Sequence, residues 1–159
     1  MHKRCERAFT LIELLVTLAI LGVVATLIIP MAQLSMQRTR EQELRRALVD
    51  IRHALDAFKR ASDEGRIVKK SGSSGYPETL RILVDGVIDQ RDPKRHKIFF
   101  MRRIPRDPMQ IDRSMDEEAS WSKRCYASEA SDPQEGEDVY DVYSSSSVIG
   151  LNAVPYRQW

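Results

Sequence analysis

Residues 14–29 read Leu-Leu-Val-Thr-Leu-Ala-Ile-Leu-Gly-Val-Val-Ala-Thr-Leu-Ile-Ile, an apolar run with one carboxylate, Glu13, at its entrance. A charged side chain on a spanning helix costs about 2.5–3.5 kcal/mol at the helix centre, and such residues normally have a partner. No Lys, Arg or His stands on the apolar part of this segment. One source of positive charge is the α-amino group that a cut after Ala8 creates on Phe9, offered by a neighbouring copy of the chain. The apolar stretch, residues 9–32, holds about 24 residues, enough to cross a ~30 Å hydrocarbon core at ~1.5 Å per residue.

The segment before Phe9 fits that cut. Lys3, Arg4 and Arg7 against Glu6 make a short basic head, the character of a secretory n-region, which stays cytoplasmic under the positive-inside rule. In an ordinary signal peptide the small-residue cleavage site follows the apolar stretch, and the stretch is lost. Here the small residue, Ala8, precedes it, so cleavage keeps the apolar helix as a permanent anchor. An uncleaved anchor, or a conventional cut near Ala32, leaves Glu13 unexplained.

Ala8 followed by Phe9-Thr10-Leu11-Ile12-Glu13-Leu14-Leu15-Val16 resembles the cleavage and methylation motif of type IV pilins and of the pseudopilins of type II secretion. The resemblance implies that a prepilin peptidase cuts between Ala8 and Phe9, that the new amine of Phe9 is N-methylated, and that Glu13 contacts the amine of an adjacent subunit during assembly. The family usually has Gly where this chain has Ala8. Pro30 matches a Pro found partway along the family's long helix, and it is expected to bend or loosen the helix by removing one backbone donor.

Composition suits a small anchored protein. The chain of 159 residues carries 25 basic and 23 acidic side chains, and without residues 1–8 it has 22 of each. That neutrality argues against a nucleic-acid binder, which shows a basic face. Charge is nonetheless uneven, with residues 38–70 rich in Lys and Arg, and Glu129, Asp132, Glu135, Glu137, Asp138 and Asp141 clustered late. These are either two solvated faces or, in a stacked assembly, a basic stretch of one copy that meets the acidic loop of another. Cys5 lies in the leader, so Cys125 is left without an internal disulfide partner and the head must fold on its core. Many pilus-forming pilins close a C-terminal loop with a disulfide, which shifts this chain toward the pseudopilins.

Beyond Pro30 the pattern becomes amphipathic. Leu44, Leu48, Ile51, Leu55 and Phe58 recur at spacings of four and three with charged residues between them, one apolar stripe on a helix that Ser62, Asp63, Glu64 and Gly65 end. The whole helix, from Phe9 to near Ala61, is about 80 Å long. Residues 69–75 read as a loop, and Pro77 opens a short helix through Val84 that Asp85-Gly86 stops. Residues 98–101 are apolar, a strand or a buried loop, and the prolines of residues 104–109 enforce an extended or turned path. Residues 121–128 and 139–144 read as strands joined by an acidic loop, an antiparallel pair laid across the spine helix. The fold class is therefore α+β: a long N-terminal α-helix packed on a small antiparallel β-sheet, pilin-like in outline. Residues 1–8 are the cleaved leader, residues 9–32 the transmembrane and assembly helix, and residues 33–159 a periplasmic head with its spine at residues 33–61.

The head is also similar to the major, G-type pseudopilin of type II secretion. The similarity rests on Tyr76-Pro77-Glu78-Thr79-Leu80, Arg102-Arg103-Ile104-Pro105-Arg106-Asp107-Pro108-Met109, Trp121, residues 138–144 and the closing Tyr156-Arg157-Gln158-Trp159. It implies a subunit anchored once in the bacterial inner membrane, its partners being further copies of itself, minor pseudopilins, the inner-membrane secretion platform and the prepilin peptidase. It also raises calcium, which many members bind in a C-terminal loop. Here that loop, Ser144-Ser145-Ser146-Ser147-Val148-Ile149-Gly150-Leu151-Asn152, offers no carboxylate, whereas calcium takes six to eight oxygen ligands. Asp138, Asp141 and the serine hydroxyls make a weaker candidate set, so no cofactor is expected.

Catalysis finds no footing. His2, His53 and His96 are scattered, and the serine run lacks a Gly-x-Ser-x-Gly elbow or a paired base. Asp107, between two prolines, is read as stabilising a turn through its own backbone, and Trp121 and Trp159 as core or lid aromatics. Two functions from different classes are left. One is a structural subunit of a secretion pseudopilus that drives protein export across the outer membrane; the other is a pilin of a type IV pilus serving adhesion, motility or DNA uptake.

Overall fold

The computed structural model describes residues 9–159; the expected leader and Ala8 lie outside them. The chain divides into two compact units, Met1–Thr39 and Arg40–Trp159, and one helix, α1 (Leu11–Asp63), runs through both. The expected loosening at Pro30 does not interrupt it. In the first unit the side chains of residues 9–26 and 31–36 are all exposed, on a helix long and apolar enough to cross a membrane.

In the second unit the expected stripe is the core. Leu44, Leu48, Ile51, Leu55 and Phe58 are buried together with Ala47, Ala54, Leu80, Leu83, Ile104, Trp121, Val139, Val142 and Tyr156. The helix ends where the sequence places the stop, by a defined geometry. Gly65 takes φ +69°, its N–H donates to the Ser62 carbonyl at 3.0 Å, and the Arg66 N–H donates to the Ala61 carbonyl at 2.9 Å. This paired closure uses a left-handed residue that glycine supplies without a Cβ penalty.

The short helix is shorter than the sequence suggests. Helix α2 covers Arg81–Asp85 and does not begin at Pro77, because the Leu80 N–H is taken by the Glu118 carboxylate at 3.0 Å. Gly86 ends it with φ +72°, and a Cβ there would meet the Phe99 ring at 2.8 Å and the Ile98 carbonyl at 2.9 Å.

The expected antiparallel pair forms, though shorter than residues 121–128 and 139–144, and a second two-stranded pair accompanies it. Strands β1 (Val87–Ile88) and β2 (Lys97–Ile98) form one antiparallel pair, and β3 (Trp121–Arg124) and β4 (Asp141–Ser144) form the other, with Trp121 opposite Ser144. The ladder cannot continue past β2, since the N–H groups of Phe100 and Met101 both turn to the Leu83 carbonyl at 3.0 Å. Prolines at 105 and 108 offer no donors beyond it. β3 stops at Arg124 because the Cys125 N–H leaves the ladder for the Gln134 carbonyl at 2.9 Å. Val139 likewise donates to the Pro77 carbonyl at 2.8 Å and stays outside β4.

Trp121 is buried, with its indole N–H on the Pro105 carbonyl at 2.7 Å. Asp107 holds its turn as expected, accepting the Met109 N–H at 2.8 Å, and it also reaches β4, accepting the Ser144 hydroxyl at 2.6 Å. Arg52 ties the spine to β4 through Asp141 Oδ1 at 2.8 Å and to the end of the chain through the Trp159 carbonyl at 2.9 Å.

Candidate assembly site at the start of the long helix

Phe9 and Thr10 precede α1 and Glu13 lies in its first turn. Thr10 is the cap. Its Oγ1 accepts the Glu13 N–H at 3.3 Å and its carbonyl accepts the Leu14 N–H at 3.2 Å. A hydroxyl residue three positions before a Glu is the pattern that satisfies the orphan donors of a first turn, and it places a carboxylate at the positive end of the helix dipole. Thr10 is the site residue that the reading above did not single out, although the Thr-Leu-Ile-Glu spacing carries the signal.

Phe9 is largely exposed, as is Glu13, and no cation among the described residues pairs with the Glu13 carboxylate. Deeper in the run, the hydroxyls of Thr17 and Thr26 donate to the carbonyls of Leu14 at 2.8 Å and Val23 at 2.7 Å. The threonines thus bring no unsatisfied donor into the apolar segment. Of the described residues 9–26, Glu13 alone carries a charge.

The C-terminal stretch is fastened by the protein's own side chains. Glu41, buried on α1, accepts the Leu151 N–H at 2.8 Å and the Tyr156 hydroxyl at 2.9 Å. The acidic residues considered for calcium are committed elsewhere. Asp141 faces Arg52 at 2.8 Å and Arg124 at 3.5 Å, and Asp138 accepts the Tyr126 N–H at 2.8 Å and the Ser74 hydroxyl. Two guanidinium groups on one carboxylate oppose a divalent cation at Asp141. Among the described residues no group of three or more His, Cys, Asp or Glu side chains could hold a metal.

The candidate catalytic side chains are dispersed. His53 is exposed on the spine, and His96 pairs with Asp92 in the loop between β1 and β2. Cys125 is a free thiol.

Comparison with known proteins bears on these observations. A family model described as the prokaryotic N-terminal methylation motif matches residues 3–29. Type II secretion system core protein G of Pectobacterium carotovorum subsp. carotovorum is 32% identical over 111 residues, covering 67% of this chain and 64% of the relative. The chain therefore spans a little under two thirds of that relative's length. Core protein G of Aeromonas hydrophila is 30% identical over 112 residues, 68% of this chain and 71% of the relative, and that of Klebsiella pneumoniae is 30% identical over 107 residues, 65% and 69%. No solved structure matches. These relatives are secretion proteins, so the pilus alternative is not favoured. With a matching methylation motif at its start, a long apolar helix, an α+β head and this similarity over two thirds of its length, the chain belongs to the type II secretion system core protein G family, the pseudopilins.

Proposed function

We propose that the chain is the repeating structural subunit of a secretion pseudopilus, held in the inner membrane by residues 9–32 with its head in the periplasm. The peptidase cuts between Ala8 and Phe9, and the Phe9 amine is methylated. Subunits then polymerise through α1, and the growing fibre drives export across the outer membrane. Minor pseudopilins and the inner-membrane secretion platform are the further partners. The role is mechanical and needs no catalytic group.

One observation carries this reading. Glu13 is the single charge among described residues 9–26, its backbone is fixed by Thr10, and its carboxylate has no cation partner within the described chain. The Phe9 amine of the next copy would neutralise it, and the attraction strengthens where lipid excludes water. Apolar side chains alone let packed helices slide; this pair sets the axial register.

The test replaces Glu13 with Leu. Insertion and cleavage before Phe9 are expected to persist, because Ala8 and the basic head are untouched, while crosslinked oligomers and export are lost. Wild-type oligomers and export in the Glu13→Leu chain would overturn the pairing.

A further inference from the structure

The head carries two surfaces of opposite charge on opposite sides of the spine's buried stripe, and we propose that the basic groove of one copy takes the acidic loop of the next. This rests on the fibre reading above and names a second contact within it, between heads.

The groove, about 440 Å3, runs between α1 and the segment after β2. Phe100, Met101 and Pro105 are half-buried along it, and Arg102 and Arg103 stand exposed at its edge. Neither arginine has a carboxylate partner among the described residues, and Asp50 is the groove's one acidic lining residue, beside an exposed His53.

The acidic loop lies between β3 and β4. Glu129, Asp132 and Glu135 are exposed and enter no ion pair among the described residues. Its base is well anchored. Cys125 and Gln134 bond across it at 2.9 Å, Asp138 accepts the Tyr126 N–H, and a Cβ on Gly136 would meet Cys125 at 2.9 Å. A loop closed this tightly at its root presents its carboxylates with little further ordering cost on binding.

Helix geometry sets the two surfaces apart. Residues on an α-helix step by ~100°. Asp50, Ala54 and Ala57 therefore flank the stripe of Leu44, Leu48, Ile51, Leu55 and Phe58 on one side, and Arg52, Asp56 and Lys59 flank it on the other. The acidic loop belongs to the second side: Tyr126 at its root packs on Tyr76 and Tyr140 with ring centroids 6.0 and 5.5 Å apart, and Lys59 sits 5.9 Å from the Tyr76 ring. Complementary patches on one face favour closed pairs. Complementary patches on opposite sides favour head-to-tail contacts that propagate into an open fibre. That geometry identifies the occupant of the groove as a second copy of this chain.

The experiment uses the full chain in membranes with its secretion machinery, read as a ladder of crosslinked oligomers with an amine-reactive reagent. Arg102→Glu with Arg103→Glu is one variant, and Glu129→Arg, Asp132→Arg and Glu135→Arg together are the second; neither adds an amine. Each alone is expected to lower the ladder about tenfold, and their combination in one chain to restore it to within about twofold of wild type, as expected for exchanged charge partners. All the altered side chains are exposed, so the melting temperature of the head should hold in every variant. Single variants that assemble like wild type, or a combination no better than the singles, would overturn the head contact and leave the Glu13 contact standing. A wild-type chain that gives no ladder would overturn the fibre reading and this inference together.

Discussion

Glu13, Glu41 and Asp107 are three carboxylates with different surroundings, and each does a different job. Glu13 has no cation among the described residues, Glu41 holds Leu151 and Tyr156, and Asp107 joins a proline-flanked turn to β4. Glu41→Ala removes the carboxylate that accepts the Leu151 N–H, and a polar group that loses its partner costs about 1–3 kcal/mol. The head's denaturation midpoint should drop accordingly, with faster amide exchange at residues 150–156. Burial pushes the Asp107 carboxyl above its ordinary range, more than the Ser144 and Met109 hydrogen bonds pull it down. A carboxyl raised in the folded state makes the native form bind its proton more tightly than the unfolded chain does. Its contribution is full at pH below the unfolded value and lost as pH rises through the folded one. The stability of wild type relative to Asp107→Asn should therefore fall as pH climbs from about 3 through the carboxylate range. A difference that grows with pH would contradict the burial argument. Asp89, held low by the Arg66 guanidinium, has the opposite sign and is lost as pH falls.

Among the elements, α1 is the one a sequence can specify almost alone. Its stripe keeps a helical period over four turns and its stop is a Gly in the left-handed region, both local signals. Leu55, buried between α1 and the rest of the core, tests the stripe. Leu55→Ala should cost about 2–5 kcal/mol, read from chemical denaturation, whereas an unchanged midpoint would place that face against lipid or a partner. The remaining boundaries were not legible, because distant groups set them. The start of α2 depends on Glu118, the end of β3 on Gln134, and the end of β2 on the Leu83 carbonyl. Two-residue strands such as Val87–Ile88 are too short to show alternation. The site divides the same way: Glu13 stands out as a charge in an apolar run, while Thr10 is visible only to a reader looking for the cap that precedes it. The fastening of the C-terminal loop by Glu41 joins residues 110 positions apart, and no local pattern announces it.

At the scale of the whole molecule, the chain combines an apolar helix, with Glu13 the one charge among described residues 9–26, and a head that carries exposed arginines at its groove and exposed carboxylates on the loop between β3 and β4. Both features leave interactions that the described chain does not complete by itself, and on the proposals above another copy completes them. Such a subunit needs its Phe9 amine free, since residues 1–8 would otherwise cap the group that answers Glu13. The most direct test is the intact mass of the chain recovered from the membranes of its own host. The expected species begins at Phe9 and carries one added methyl. A chain that still holds residues 1–8, or one that starts beyond Ile29, would contradict the account at its root.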